Sequence, residues 1–425
     1  MAAPIIYRDI ETPNIRSLDV YREKGGYKAL EKALNDMTPA EVVEEVKKAK
    51  LVGRGGAGFP TGLKWELVSK DATTPRYIVA NAEEGEPGTF KDRPILERIP
   101  HRLIEGMAIA AYAVGAEEGV IVCRGEFMEP ARILREAVVE AENAGLLGEK
   151  IMGKDFTFRV WVYRTAGAYI CGEETSLLEA LEGKPGMPRI RPPFPVNSGL
   201  WAKPTALNNV ETFSNVPNII LEGADSYSSM GTEKNAGPKG YCISGHVNKP
   251  GVYELPFGIT LRNLIDQHAG GILDGRKLKC IFPGGASSSC LTAESLDIVL
   301  DFPSVAAAGS MLGSAALMVV AEPTCIVEVS LRLARFFRHE SCGKCIPCRE
   351  GTYQVVRLLE GIQKGTGHKR DIDDIVDLAA VVRQAAFCGL GQACVNPVVS
   401  CIKKFRQEFE DHLEGRATCC PKADG

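Results

Sequence analysis

Eight of the chain's fourteen cysteines fall after residue 340, and three of them stand in the run Ser341-Cys342-Gly343-Lys344-Cys345-Ile346-Pro347-Cys348-Arg349. This C-x2-C-x2-C spacing lets three thiolates line one turn of backbone, grip three irons of a cubane and leave the fourth iron to a remote cysteine. A tetrahedral zinc ion is more usually served by two separated C-x2-C hooks, so the third closely spaced cysteine favours a [4Fe-4S] cluster over structural zinc. Buried free thiols are the plainest alternative. Cys388, Cys394 and Cys401 compete to be the fourth ligand; the tight Gly389-Leu390-Gly391 turn beside Cys388 permits close backbone approach to a bulky cluster and tips the choice to Cys388. The segments around these cysteines, 325–339, 352–362, 372–386 and 398–412, all have helical period, and their connections are short enough for antiparallel neighbours. They predict a bundle of four helices.

At 425 residues the chain exceeds what one core usually organises, and about two to four domains are expected. Fifty basic and fifty-four acidic side chains leave a net charge of −4, which offers no broad electrostatic footprint for nucleic acid. The longest apolar runs, such as 315–321, fall far short of the roughly 20 residues a membrane-crossing helix needs. Membrane contact is therefore expected only through a partner. The N-terminus lacks the basic start, apolar stretch and cleavage site of a secretory signal, which points to the cytoplasm, where disulfides are rare. Single cysteines at 123, 171, 242, 280, 290 and 325 sit in apolar stretches and read as small core residues. Cys419 and Cys420 lie in a polar tail and have no evident role.

The texture changes twice along the chain. Residues 39–49 carry valines at helical spacing, with Thr38 placed to cap and Pro39 at the first helical position. From there to about 220, short apolar strands (77–80, 120–123, 156–163) alternate with helical stretches (104–114, 131–144, 168–182), the pattern of an α/β layered domain. Between about 240 and 322, strands at 241–247, 252–255, 278–282 and 316–321 surround a short helix at 261–268 that Thr260 can cap; this reads as a small α+β domain. No internal repeat or low-complexity tract interrupts the chain.

The segment Gly53-Arg54-Gly55-Gly56-Ala57-Gly58-Phe59-Pro60-Thr61-Gly62-Leu63-Lys64-Trp65 contains G-x-G-x-x-G, but it follows a helix and only a two-residue apolar lead, so it is no ordinary dinucleotide turn. Nor is it a Walker loop, since Trp65 follows Lys64. Its glycines, arginine and lysine still form a nest of backbone donors with positive charge, suited to phosphates and flat rings. After the strand at 77–80 come Glu83, Glu84 and Glu86, able to accept hydrogen bonds from sugar hydroxyls or a carboxamide while repelling an extra phosphate. Residues 165–176 join a strand to a helix with glycines and the paired carboxylates Glu173 and Glu174. Asn208 and Asn209 can donate to and accept from a heteroaromatic ring edge, and the stiff, extended Arg191-Pro192-Pro193-Phe194-Pro195 can hold Phe194 out for stacking. Each of these segments alone could be a structured turn or a solvated acidic loop.

Taken together and in order, the loop 53–64, the segments 81–92, 167–174 and 208–212, and Glu340-Ser341-Cys342-Gly343 to Arg349 closely resemble the NADH-binding flavoprotein subunits of respiratory complex I, the F-type subunits of NADH:quinone oxidoreductase. The resemblance runs over nearly the whole chain. It implies a non-classical Rossmann-like FMN- and NADH-binding domain with an N-terminal helical segment at 1–235. A ubiquitin-like β-grasp domain of the soluble-ligand-binding type would follow at 236–322, and a four-helix bundle with a [4Fe-4S] cluster and C-terminal tail at 323–425. It implies FMN against Gly53, Arg54, Gly55, Gly56, Lys64, Asn81, Glu83, Glu84, Tyr169, Gly172, Glu173, Asn208 and Asn209. NADH would stack on the flavin using Phe59, Lys64, Glu86, Glu174 and Phe194, and Cys342, Cys345, Cys348 and Cys388 would ligate the cluster. One departure is visible: the family commonly reads Asn-Ala-Asp-Glu-Ser-Glu where this chain has Asn-Ala-Glu-Glu-Gly-Glu.

The expected chemistry follows from the three parts. NADH gives up two electrons as hydride and a cluster takes one at a time, so FMN must hold the pair and release it singly, with no side chain acting as acid or base. The implied partners are a thioredoxin-like [2Fe-2S] E-type subunit and a large multi-cluster iron-sulfur subunit, holding the chain at the inner face of the cell membrane and passing electrons towards quinone. The alternatives are a diaphorase subunit of an NAD-linked hydrogenase or formate dehydrogenase and, outside redox chemistry, a zinc-binding scaffold subunit in which the glycine loop is only a turn.

Overall fold

The computed structural model describes residues 4–68, 75–417 and 419; Cys420 lies outside them. The chain divides into two compact units, one of Met1–Gly85, Thr89–Tyr241 and Val252–Ile259, the other of Glu86–Gly88, Cys242–Gly251 and Thr260–Gly425.

The first unit is built on strands β1 (Tyr77–Ala82), β2 (Glu118–Cys123), β3 (Arg159–Arg164) and β4 (Thr205–Asn209). They form an all-parallel sheet of order β3-β2-β1-β4, with Val79 opposite Val120 and Leu207, and Val120 opposite Trp161. A parallel sheet must be covered on both faces, and the alternation of side chains supplies two apolar surfaces. Ile78, Ala80, Ile121 and Cys123 join the core that includes Leu103, Met107 and Phe213; Val79, Val120, Val122 and Leu207 pack with Leu177, Leu178 and Leu181. Each fully buried Val, Leu or Ile side chain contributes about 1.5–3 kcal/mol.

Local chemistry sets the helix ends. Thr38 Oγ1 accepts from the Glu41 N–H at 3.3 Å while the Glu41 carboxylate accepts from the Thr38 N–H at 2.7 Å, a capping box that starts helix Pro39–Lys48 as its sequence predicts. Helices Pro100–Val114 and Val210–Glu222 cross closely because position 106 is glycine: a Cβ there would stand 2.1 Å from the Phe213 carbonyl oxygen. The helix expected over 168–182 is instead a 3-10 turn, Tyr169–Gly172, and a helix, Glu174–Leu181. Glu173 separates them, its backbone extended and its carboxylate accepting from the N–H groups of Thr175 and Ser176. The strand expected from 156 begins only at Arg159, since Phe158 pairs with Gly148 in an isolated bridge.

A second sheet, of β5 (Pro238–Gly245), β6 (Gly251–Pro256), β7 (Leu278–Phe282) and β8 (Ala316–Ala321), has the order β6-β5-β8-β7. Within the second unit Cys242 to Gly245 run parallel to Ala316 to Val319, and β7 pairs antiparallel to β8. Thr260 caps the turn of helix Leu261–Asn263 as expected, and a π-helical turn, Leu264–His268, completes that element. Four long helices follow: Ile326–Glu340, Ile346–Gln363, Arg370–Ala385 and Asn396–Leu413. The first packs on the second and the fourth, and the second on the third. Gly351 brings the second and third together; a Cβ there would lie 2.3 Å from Val382 Cγ2. Among the described residues no helix is long and apolar enough to cross a membrane.

Candidate functional site

Strand order β3-β2-β1-β4 reverses direction of growth between β1 and β4. The loops that leave the carboxyl ends of two such strands part to opposite sides and leave a crevice, the usual ligand position in open α/β sheets. Asn81 is the last residue but one of β1, Glu83 and Glu84 follow it, and Asn208 and Asn209 end β4. The glycine loop closes on itself beside them: the Gly53 N–H donates to Phe59 O and the Thr61 N–H to Leu51 O, both at 2.8 Å. The Arg54 N–H donates to Thr212 Oγ1 at 2.9 Å, and Gly55 lies flat against Asn209, whose Cβ would be 3.1 Å from an added Cβ.

The remaining candidates of this unit join the same network. Lys64 Nζ donates to Glu174 Oε2 at 3.1 Å and to Leu207 O at 3.0 Å; Arg191 Nη1 reaches the other Glu174 oxygen at 2.9 Å. Trp65 Nε1 donates to Asn208 Oδ1 at 3.0 Å, and Asn81 Nδ2 to Gly172 O at 2.9 Å, at the end of the turn that buries Tyr169. Glu83, its side chain buried, accepts from Thr165 Oγ1 at 3.4 Å and has Arg124 Nε 3.7 Å away. Phe59 and Phe194 stand about half exposed, as stacking surfaces would. The run before Phe194 is not simply extended, since the bonds preceding Pro192 and Pro193 are both cis. Glu86 is grouped with the second unit, where its carboxylate accepts from the N–H and hydroxyl of Ser287.

Several candidates also hold the frame. Glu84 accepts from the N–H groups of Asp92 and Arg93 at 2.8 and 3.1 Å and so caps helix Asp92–Arg98 from a distance. Burial, with Asp92 adding like charge, pushes its carboxyl up to about 7, against the pull of Lys91. Asn209 caps helix Val210–Glu222, and Glu173 caps helix Glu174–Leu181. The Arg54 guanidinium is fully buried, donating through Nη2 to Tyr227 Oη and Ala236 O and lying over the Phe257 ring, 4.6 Å from its centroid. Its Nε and Nη1, and the Thr61 and Ser176 hydroxyls, have no hydrogen-bond partner among the described residues. Of these, the donors left over on Arg54 and Thr61 belong to the glycine-loop segment itself and fit a phosphate-bearing cofactor such as FMN.

In the second unit, helix Ile326–Glu340 ends at Ser341, and Gly343 turns the chain with φ +75°. Cys345 stands at the N-cap position of helix Ile346–Gln363, with no capping bond from its sulfur, and Cys348 falls in its first turn; Cys388 caps the short helix Gly389–Ala393, its Sγ accepting from the Gly391 N–H at 3.4 Å. A Cβ on Gly391 would stand 3.6 Å from Cys348 Sγ, so the turn predicted beside Cys388 does meet the cysteine run. Burial pushes the Cys388 thiol up, with like charge on Cys342 and Cys348 adding to it; Cys394 is raised by its hydrogen bond to Cys348, by burial and by charge on Cys348, Cys388 and Cys345. These cysteines therefore gather in one place. Cys394 is buried and donates to Gly391 O at 3.0 Å, while Cys401 faces Cys290, 3.9 Å away. Four half-buried thiols drawn from a loop, a first helical turn and a glycine-flanked cap fit an iron-sulfur cluster by their chemistry.

Residues 46–218 match a family model described as the Nuo51 FMN-binding domain, 239–317 an SLBB domain, and 328–412 the NADH-ubiquinone oxidoreductase-F iron-sulfur binding region. The chain is 49% identical over 421 residues to the NADH-quinone oxidoreductase F-2 subunit of Rhizobium meliloti, covering 99% of this chain and 100% of that protein. The chain belongs to the family of F-type NADH-quinone oxidoreductase subunits. The F-type member of Streptomyces coelicolor is 48% identical over 421 residues, 99% of this chain and 93% of its own. A solved NAD+-reducing [NiFe]-hydrogenase in the H2-reduced state is similar with a TM-score of 0.83 at 35% identity, over 97% of this chain and 67% of that one. As a member of the F-type family the chain combines an FMN-binding domain, an SLBB domain and a C-terminal helical region with an iron-sulfur binding segment.

The departure from the family's pattern has a steric reading. A Cβ on Gly85 would meet Glu83 Oε1 at 3.0 Å and Arg124 Nη1 at 3.2 Å, so the longer carboxylate at 83 fills the space that a serine at 85 would take. Sequence reasoning missed a buried charge cluster beside the crevice. Lys91 Nζ lies 2.8 Å from Asp92 Oδ1 and 3.1 Å from Glu211 Oε2, and Lys239 Nζ lies 2.6 Å from the same Glu211 oxygen, all nearly inaccessible to solvent. Burial pulls Lys239 down to about 8 despite Glu211; Lys91, facing Asp92, Glu211 and Glu84 together, goes up instead. Burial alone would raise Glu211, but Lys239, Lys91 and Arg54 hold it below the ordinary range. Asp92 Oδ2 and Oδ1 accept from Asn209 Nδ2 at 2.7 Å and the Glu211 N–H at 3.2 Å, so this cluster ties the start of helix Asp92–Arg98 to the end of β4 and the start of helix Val210–Glu222.

Proposed function

We propose that this chain is the NADH-oxidising flavoprotein subunit of an NADH:quinone oxidoreductase, carrying FMN and a [4Fe-4S] cluster. The observation that carries the reading is the placement of the glycine loop, Asn81 with Glu83, Gly172 with Glu174, and Asn208 with Asn209 around one strand-order reversal. FMN, when bound, converts a hydride pair into single electrons, which neither NADH nor a cluster can do.

The chain's own residues bind and orient. Gly55 and Gly56 offer backbone donors to the phosphate while Gly53 closes the loop on Phe59 O and lets the cofactor approach, and Lys64 supplies a positive charge already aimed by Glu174 and Leu207 O. Asn81, Glu83, Tyr169, Gly172, Asn208 and Asn209 bind the polyol and the ring edge. Arg54, Glu84 and Glu173 hold the loop and the helix ends that frame the site. Phe59 and Phe194 flank the nicotinamide nucleotide, with Lys64 and Glu174 fixing its polar groups. Orientation of this kind lowers the barrier without a proton-transferring side chain.

Cys342, Cys345, Cys348 and Cys388 hold the cluster. Cys388 serves better than Cys394, because it stands half-buried at a glycine-flanked helix cap with only an N–H on its sulfur, whereas Cys394 is buried and bonded to Gly391 O. The same reading extends to a Rossmann-like domain at 1–235, a β-grasp domain at 236–322 and a four-helix bundle at 323–425. It also extends to E-type [2Fe-2S] and multi-cluster partner subunits at the inner face of the cell membrane. The hydrogenase likeness supports a second reading, the NAD-reactive subunit of a hydrogenase; the higher identity to F-type NADH-quinone oxidoreductase subunits over the full length favours the first.

The test is composition and turnover of the anaerobically purified chain. About one FMN and about four irons per chain are expected, with the flavin bleached by NADH. A chain that carries zinc but neither flavin nor iron overturns the proposal in favour of a scaffold.

A further inference from the structure

We infer that a zinc ion, bound by Cys325 Sγ, His412 Nε2 and Cys419 Sγ, pins the C-terminal tail to the helical region. Among the described residues this is the one group of three potential metal ligands whose donor atoms all lie within 4.8 Å of one another. His412 Nε2 is 3.2 Å from Cys325 Sγ and 3.5 Å from Cys419 Sγ. In a tetrahedral site with zinc–sulfur bonds of about 2.3 Å and zinc–nitrogen bonds of about 2.0–2.1 Å, sulfur and nitrogen stand about 3.5 Å apart. Both sulfur–nitrogen edges thus lie within a few tenths of an ångström of what an ion requires, and the two sulfurs lie within 4.8 Å of each other.

Three further features point to an ion rather than to thiols resting on an imidazole. His412 Nδ1 faces the Gln363 carbonyl oxygen at 3.3 Å, so the ring proton belongs there and Nε2 turns its lone pair towards both sulfurs. One lone pair cannot accept well from two S–H groups, whereas one cation satisfies all three donors. Cys325 caps the 15-residue helix Ile326–Glu340, and its sulfur accepts from the Glu328 N–H at 3.4 Å, so it is already placed as an electron-pair donor. Two thiolates also neutralise a divalent ion, as suits a place where Cys325 and His412 are each only 5% exposed. Thiolate and imidazole donors select zinc over magnesium or calcium. Cys419 is half-buried, so the fourth position opens on its side to water or another donor.

The site is separate from the cluster loop. Cys325 begins and Ser341 ends helix Ile326–Glu340, whose 15 residues span about 22 Å. The ion would join the start of that helix, the last turn of helix Asn396–Leu413 and the tail, three places that 87 and 7 residues of chain otherwise separate.

The experiment is elemental analysis and zinc-edge X-ray absorption on the full chain, purified anaerobically with FMN and cluster in place. About one zinc per chain is expected beside the iron, with about two sulfur neighbours near 2.3 Å and the remaining nitrogen or oxygen neighbours near 2.0 Å. Cys419→Ser and Cys325→Ser should each take zinc from about one per chain to near zero, with iron, FMN and NADH-driven bleaching unchanged. Should buried Cys325→Ser fail to fold, the half-exposed Cys419→Ser and the absorption spectrum decide. Iron and flavin without zinc, zinc that survives Cys419→Ser, a four-sulfur shell marking zinc lodged in the cluster loop, or a Cys325–Cys419 disulfide in the anaerobic chain would each overturn the site. Zinc in the cluster loop would count against the cluster reading as well; the other outcomes leave the FMN and cluster reading intact, since it fails only when iron and flavin are missing.

Discussion

Gly85 and Glu83 carry the clearest single-residue consequence. The carboxylate at 83 reaches to within 3.0 Å of where a Cβ at 85 would be, and Arg124 closes the other side at 3.2 Å. Gly85→Ser alone should therefore crowd Glu83 and weaken FMN retention, by about tenfold for a loss near 1.4 kcal/mol. Adding Glu83→Asp withdraws the carboxylate by one methylene and should recover most of that loss, a coupling of about 0.5–3 kcal/mol between residues in contact. Titrating FMN into the flavin-free single and double variants checks it; additive effects would show that the two positions are independent. The paired departure is visible in the sequence, but its cause is not, because nothing in a linear string says which side chain fills which space.

The same limit explains how the predicted elements fared. Strands β7 and β8 fall where their apolar runs and flanking Gly and Pro residues put them, and helix Pro39–Lys48 starts at its Thr38 cap. The stretch 168–182 misleads because its period continues through Glu173, and a glutamate that turns back to cap the next helix looks like any other helix-forming residue. Glu84 is harder still, since it caps helix Asp92–Arg98 from eight residues upstream. That cap makes a pH prediction. A carboxyl raised from 4.5 to about 7 favours its protonated form in the folded chain, so the folded state holds more protons across that window. Its contribution to stability is then greatest below pH 4.5 and is lost as the pH rises to about 7. Glu84→Gln cannot ionise and should cost about 1 kcal/mol at low pH for the weakened cap. Relative to that variant, the native chain should lose up to about 3 kcal/mol of unfolding free energy between pH 4.5 and 7. Urea midpoints of both chains with excess FMN measure the difference; parallel curves would mean that folding does not raise the Glu84 carboxyl.

The charge cluster of Lys91, Asp92, Glu211 and Lys239 and the trio of Cys325, His412 and Cys419 join residues far apart in the chain, which is why neither shows as a motif. The cysteine run does show, because its spacing is local, and so does the division of labour it implies. The glycine loop, Asn81 to Glu84, Tyr169 to Glu174 and the two asparagines all belong to the first unit, while Cys342, Cys345, Cys348 and Cys388 all belong to the second. The first sheet lies wholly within the first unit and the four long helices within the second, so loss of one cysteine sulfur in the helices breaks no pairing of that sheet. Cys348 is held in the first turn of helix Ile346–Gln363, where Ser341 Oγ lies 3.4 Å from its sulfur. Serine there keeps the shape and removes the soft ligand, so Cys348→Ser should abolish the cluster's absorption and paramagnetic signals at little cost in folding. NADH should still bleach the flavin of that variant, to the same extent and with an unchanged Michaelis constant for NADH in an assay with an artificial acceptor. Transfer to quinone in the assembled complex should fall to background, because single electrons lose their first acceptor. Loss of FMN from the variant, or a flavin that no longer bleaches, would mean that the two sets of ligands depend on each other for their structure.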